Sequence, residues 1–180
     1  MTSYPRHLLI TGPPGCGKTT LLVRLARQLA DLNPVGFYTE EIREGGARQG
    51  FRLVGLDGRE GVLAHVRFRG GPRVGRYGVD VAGFEAFLDA SELARIDSPL
   101  LFIDEIGKME CLSPRFVVLV RGLLASGRKV VATVALNGPG LIAEVKGRND
   151  CELVTIDSGN RERMLGILAG RLWAGFCRPE

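Results

Sequence analysis

The sequence predicts an α/β fold, with a mainly parallel β-sheet flanked by helices and an antiparallel hairpin set into it. Three observations carry that expectation. Apolar runs of strand length alternate with stretches of helical periodicity along nearly the whole chain, the pattern of a sheet buried between two helical layers. Asp57 and Gly58 stand between two strand-like runs, a strong hairpin signal that demands antiparallel neighbours. Hydrophobic residues make up 45% and charged residues 24% of the chain, which suits a packed globular core and excludes a disordered one.

The elements follow in order. His7 to Thr11 is a short apolar run ending at glycine, the mark of a buried strand. Leu21, Leu22, Leu25, Leu29 and Leu32 recur at helical spacing over 18–31, and Asn33-Pro34 stops that helix. Val35 to Glu41 is β-branched and aromatic, hence a strand, followed by a turn at Gly45 and Gly46. Phe51 to Leu56 and Gly61 to Val66 are the strands of the hairpin, and 67–78 reads as a loop rich in glycine and arginine. Asp80 opens a helix with Phe84, Phe87 and Leu88 on one face. Ser98 to Asp104 is a second buried strand. Ser113 and Pro114 begin a helix, a hydroxyl cap followed by proline at the first helical position, and Gly127 closes it. Lys129 to Val134 is a strand, Pro139 to Lys146 a short helix, Cys151 to Ile156 the last strand, and Arg161 to Trp173 the terminal helix.

At 180 residues the chain is expected to form one domain, 1–180, burying roughly 70% of its unfolded surface without staples. No run approaches the roughly 20 apolar residues of a membrane span, and Met1 to Arg6 has no secretory character, so a soluble, cytoplasmic protein with no membrane partner is expected. Cys16, Cys111, Cys151 and Cys177 are scattered without metal or redox spacing. The net charge of +4 comes mostly from arginine, since only four of the 24 basic residues are lysine. Arginine suits bidentate phosphate contact, although compositional bias would give the same count.

The chemistry begins at GPPGCGKT, residues 12–19, which fits G-x-x-x-x-G-K-[ST]. A chance match in a chain of this composition is expected roughly 0.5% of the time, and this one also follows a strand and opens a helix, the arrangement the motif requires. Gly12 and Gly17 let the backbone curl about an anion. Pro13 and Pro14 have no N–H, so the phosphate-facing amides are expected to be those of Gly15, Cys16, Gly17, Lys18, Thr19 and Thr20, at the positive end of the helix dipole. Lys18 is expected on the β- and γ-phosphates and the Thr19 hydroxyl on Mg²⁺. A thiol at Cys16 among converging amides is expected to react readily with alkylators.

The second constellation is LLFIDEIGKME, residues 100–110. A buried strand ending in a carboxylate supplies the other metal anchor, Asp104, and Glu105 beside it can orient or deprotonate a water. DEIG, residues 104–107, also spells D-x-x-G, but no N-K-x-D element accompanies it, which excludes a switch GTPase.

These motifs, with GFYTEE at 36–41, GRYGVD at 75–80, ATV at 132–134 and KGRND at 146–150, resemble the thermophilic and cancer-related nucleoside-triphosphatase family in kind and order across nearly the whole chain. The resemblance implies a RecA-like P-loop fold with an added strand between the two nucleotide motifs. It also implies slow, Mg²⁺-dependent hydrolysis of several nucleoside triphosphates, with the nucleotide site formed by 12–19 and about 101–108, which brings in Gly107 and Lys108. Cys111 stands where the family usually has leucine.

The remaining candidates are Thr133, as a polar sensor of the γ-phosphate or a core residue, and Arg76 and Arg148 as phosphate or base contacts. Arg67, Arg69 and Arg73 crowd the same loop as Arg76 and read as a lid or as a solvated basic surface. Two other functions fit the same residues. One is a nucleotide or nucleoside kinase using the arginine loop as its lid; the other is a nucleotide-gated RNA-binding protein, although the loop offers only Phe68 and Tyr77 for stacking. The expected partner is a nucleoside triphosphate, and the expected state is a monomer.

Overall fold

The computed structural model describes residues 5–176; Cys177 and residues 1–4 lie outside them. Among the described residues nine strands form one sheet, numbered in chain order and arranged β5-β6-β4-β3-β2-β7-β8-β1-β9. Its parallel part consists of β2 (Val35–Glu44), β7 (Leu100–Ile106), β8 (Lys129–Val134), β1 (His7–Thr11) and β9 (Cys151–Thr155). β8 therefore lies between β1, which leads into the glycine loop, and β7, which carries Asp104.

Apolar side chains on both faces of β1, β7 and β8 explain why those strands read as continuous apolar runs. On one face α1 (Lys18–Gln28) and α5 (Arg161–Phe176) bury Leu21, Leu22, Leu25, Leu165, Leu168 and Leu172 with Ile10, Phe102 and Val131. On the other, α2 (Val81–Ser91), α3 (Pro114–Ala125) and α4 (Leu141–Lys146) cover Leu9, Phe37, Ile103 and Ala132. Both expected caps form. The Asp80 carboxylate accepts from Gly83 N at 2.9 Å, and Ser113 Oγ accepts from Phe116 N at 3.0 Å with Pro114 in the first turn. The helix expected over 18–31 ends at Gln28, and a 3₁₀ turn at Ala30–Leu32 leads to Asn33 in the left-handed region.

The antiparallel part is larger than one hairpin. β2 continues to Glu44 and turns at Gly45 and Gly46 into β3 (Ala47–Gly55), which pairs with β4 (Glu60–His65). The tract 67–78, expected as a loop, contains β5 (Arg73–Val74) and β6 (Tyr77–Val79), which close the edge beyond β4. Ion pairs across the hairpin, Glu40 with Arg52 at 2.5 Å and Glu41 with Arg48 at 3.1 Å, extend β2 and β3 past their apolar residues. No helix among the described residues is long and apolar enough to cross a membrane.

Candidate nucleotide site

The glycine loop leaves the carboxyl end of β1 and enters α1 at Gly17, so it lies at the end of the sheet where the parallel strands finish. Two glycines are required for different reasons. A methyl group on Gly12 would lie 2.2 Å from the carbonyl oxygen of Ile156, so the loop is pressed against the end of β9. Gly17 has φ 94°, a left-handed conformation that a side chain would strain. The amides of Gly17, Lys18, Thr19 and Thr20 open the helix and have no acceptor within it, and they form a concave donor set at its positive end. Cys16 differs from expectation: its N–H donates to Pro13 O at 3.2 Å, closing a turn, and its side chain is buried in the core beneath the loop, near Gly12. The Cys16 amide, expected to face the phosphates, is instead engaged in that turn, and the thiol expected to react readily is buried.

Asp104 is buried at the end of β7, where three threonines converge on it. Thr19 Oγ1 donates to Oδ2 at 2.8 Å, Thr39 Oγ1 and Thr39 N donate to the same oxygen at 3.0 and 3.2 Å, and Thr133 Oγ1 donates to Oδ1 at 2.5 Å. Four hydrogen bonds fix the orientation of the carboxylate. Glu105 follows through a cis peptide bond, with Oε1 3.9 Å from Lys18 Nζ, which also donates to Gly12 O at 3.3 Å. Burial pushes the Glu105 carboxyl above the ordinary range and Asp104 pushes it further, while Lys18 and Lys146 pull it back.

Behind Glu105, Glu110 is fully buried and its pKa is raised to about 8, first by burial and then by Glu105 and Asp104, against the opposing pull of the Glu110 and Gly107 amides. Its Oε2 lies where a methyl group on Gly107 would approach to 2.8 Å, so Gly107 leaves room for that carboxyl. Lys108 is exposed and makes no ion pair among the described residues.

The structure does not bring Arg76 or Arg148 to the glycine loop. Arg76 lies on the β5–β6 edge, six strands from β1, bonded to Arg48 O and stacked on Tyr77 with 5.2 Å between guanidinium and ring centre. Arg148 precedes β9 and so lies at the opposite end of the sheet, where it pairs with Asp150 at 2.6 Å. Thr39, Glu110, Lys146 and Arg161 are the site residues the sequence reading passed over. The first three fall within GFYTEE, IDEIGKME and KGRND, so the sequence carries the signal without assigning a role to it. Arg161 packs against Gly17: a methyl group there would lie 2.4 Å from its Nη1.

Hard oxygen donors at Thr19 and Asp104, 2.8 Å apart beside the opening of α1, fit a Mg²⁺ ion that takes one or two protein ligands and completes its shell with phosphate and water. No cluster of three or more His, Cys, Asp or Glu able to hold a metal by itself exists among the described residues.

Known proteins resemble this chain over most of its length. The nucleoside-triphosphatase THEP1 of Thermotoga sp. (strain RQ2) is 42% identical over 159 residues, covering 88% of this chain and 90% of the relative. The cancer-related nucleoside-triphosphatase of Homo sapiens is 38% identical over 177 residues, covering 89% and 93%. The solution structure of a human cancer-related nucleoside triphosphatase superposes with a TM-score of 0.78 at 34% identity, covering 97% of this chain and 100% of that one. The crystal structure of THEP1 from Aquifex aeolicus gives 0.77 at 32%, covering 90% and 96%. The family described as NTPase matches residues 7–169, and the chain belongs to it.

Proposed function

We propose that this chain hydrolyses nucleoside triphosphates to the diphosphate and phosphate, with Mg²⁺ and with little preference among bases. The observation that carries the reading is the meeting of two distant segments: Thr19 with Asp104 at 2.8 Å and Lys18 with Glu105 at 3.9 Å. The first-turn amides and Lys18 hold the phosphates, Thr19 and Asp104 hold the ion, and Glu105 orients and deprotonates the attacking water. When bound, Mg²⁺ neutralises charge on the phosphate oxygens. A carboxyl with a raised pKa is a stronger base toward water than an ordinary one, and positioned general-base help is typically worth about 10²- to 10⁴-fold. The names of the relatives, nucleoside-triphosphatases in Thermotoga and Homo sapiens, support the same activity. A kinase reading loses its lid, because Arg67, Arg69, Arg73 and Arg76 belong to or flank the far edge of the sheet.

Phosphate release measured over the common triphosphates, with no acceptor added, tests the proposal. Lys18→Ala is expected to abolish nucleotide binding; Glu105→Gln is expected to keep binding and lose turnover by about 10²-fold or more. Release that requires a nucleoside or monophosphate acceptor would overturn hydrolysis in favour of group transfer.

A further inference from the structure

Resting on that reading, we infer that Arg161 is the platform on which the nucleoside base lies, gripping it by its face without reading its edge. The strand order gives the direction. Asp104 and Glu105 lie near the end of β7, a strand about 10 Å from β1, and reach Thr19 and Lys18 of the glycine loop from that side. The reacting γ-phosphate end therefore faces β7, and the nucleoside must leave the loop on the opposite side. One strand away on that side, about 5 Å, β9 ends and the chain turns through 156–160 into α5.

Arg161 begins α5 and returns over the loop, with Nη1 and Cδ within 2.4 and 2.8 Å of the place a Gly17 methyl group would occupy. Its other edge bonds to Glu162, Nη2 to Oε1 at 3.2 Å, and Glu162 in turn bonds Arg24 of α1 at 2.7 Å. The guanidinium is thus held from one side by α5 and α1, and its own side chain is about one-third exposed.

Much of the rest of the turn bonds to itself. Asp157 Oδ1 accepts from the Gly159 and Asn160 amides, both at 2.8 Å. Asn160 Oδ1 accepts from Asp157 N at 3.0 Å, and its Nδ2 donates to Thr155 O at 3.3 Å. Asp157 Oδ1 and both polar atoms of the Asn160 side chain are thus engaged in holding their own turn. No residue from 155 to 161 is aromatic. A planar, delocalised cation stacks on any base face, and its exposed plane fits an enzyme indifferent to the base.

Calorimetry with Mg²⁺ and the β,γ-imido analogues of ATP, GTP, CTP and UTP, set beside Mg²⁺–tripolyphosphate, tests this. The wild type is expected to bind the four analogues with similar Kd, each tighter than tripolyphosphate. Arg161→Ala is expected to weaken all four by the same factor, on the order of tenfold, and to leave tripolyphosphate unchanged. Arg161→Lys keeps a cation near Glu162 and is expected to bind the analogues as weakly as Arg161→Ala; it carries the comparison if the alanine variant fails to fold. Equal losses for tripolyphosphate, a loss confined to one base, or no loss would each overturn the platform. Wild type that binds no Mg²⁺–nucleotide at all would overturn the proposed hydrolysis as well, whereas binding that ignores Arg161 overturns this inference alone.

Discussion

Thr39 donates twice to one oxygen of Asp104, from its hydroxyl at 3.0 Å and its amide at 3.2 Å, and so ties β2 to the acidic end of β7. Thr133 secures the other oxygen from β8 at 2.5 Å. The carboxylate that would bind the ion is therefore aimed from the two strands that flank its own. Thr39→Val removes one of those donors without changing the shape of the strand. Turnover is expected to fall about 10- to 100-fold and Mg²⁺ dependence to shift to higher concentration, with the fold intact by circular dichroism. A variant with the wild-type Mg²⁺ response would mean that Thr39 does not orient Asp104.

Glu110 makes stability depend on pH with a definite sign. Its carboxyl keeps its proton to about pH 8 in the folded protein but loses it near 4.5 when unfolded. The unfolded state therefore binds fewer protons between those values, and stability falls as pH rises through that window. The slope is at most about 1.4 kcal/mol per pH unit for this one group. Glu110→Gln keeps a neutral side chain of the same size, so its stability is expected to fall less from pH 5 to 8, with the two curves separating steadily. Denaturant melts with a chelator present check this; parallel curves for the two proteins would show that Glu110 is ionised in the fold.

The opposite end of the sheet titrates in the reverse direction. His7 is buried, accepts from Val130 N at Nδ1 at 3.2 Å and faces Leu124 O with Nε2 at 3.1 Å, an arrangement that fits the neutral ring with its proton on Nε2. Burial lowers its pKa, although Asp150 pulls it up. Protonation then favours the unfolded chain, so stability is fully present above pH 6.5 and declines as pH falls through the lowered value. His7→Gln is expected to destabilise at pH 7.5 by about 1–3 kcal/mol through the lost Val130 contact, yet to flatten the decline between pH 6.5 and 5. An unchanged acid limb would place that sensitivity elsewhere.

The chemistry was legible because its residue types have few other uses together: glycine, lysine and threonine at fixed spacing, then two acids at the end of an apolar strand. The caps at Asp80 and Ser113 were legible for the same reason. The reach of β2 and β3 was not, since Glu40, Glu41, Arg48 and Arg52 stabilise the hairpin by charge pairs across strands, which carry no apolar periodicity. Thr39 looked like an ordinary strand residue until the neighbouring strand was known. Arg148 illustrates a signal that was present and unused. A residue just before a parallel strand lies at the amino end of the sheet, while the glycine loop, just after one, lies at the carboxyl end.

Ser113 joins two helices as well as capping one. Its Oγ accepts from Phe116 N at 3.0 Å and donates to Glu85 Oε1 of α2 at 2.7 Å, and it is fully buried. Ser113→Ala is expected to cost about 1–2 kcal/mol, the usual loss of a helix cap together with a carboxylate deprived of its donor. Ser113→Asp would restore the cap acceptor but set a second negative charge against Glu85, so it is expected to recover nothing at neutral pH. Full recovery by aspartate would mean that the cap alone matters and the contact with Glu85 is incidental.

Gly12 and Cys16 make the glycine loop answer to its underside as well as to its ligand. A methyl group on Gly12 would meet Ile156 O at 2.2 Å and Cys16 Sγ at 2.9 Å; the first contact is with backbone and cannot rotate away. Gly12→Ala is therefore expected to lift the loop from β9, weakening nucleotide binding at least tenfold while destabilising the protein by about 1–3 kcal/mol. The same packing makes Cys16, buried beneath the loop, reachable by an alkylating agent only when the loop opens. Labelling at Cys16 is expected to be slow in the wild type, slower still with Mg²⁺–ATP, and faster in Gly12→Ala. Peptide mapping with iodoacetamide over time separates Cys16 from Cys111 and Cys151, whose thiols burial pushes up to about 11. Rapid labelling of Cys16 in the wild type, indifferent to nucleotide, would show that the loop does not rest on the core in this way.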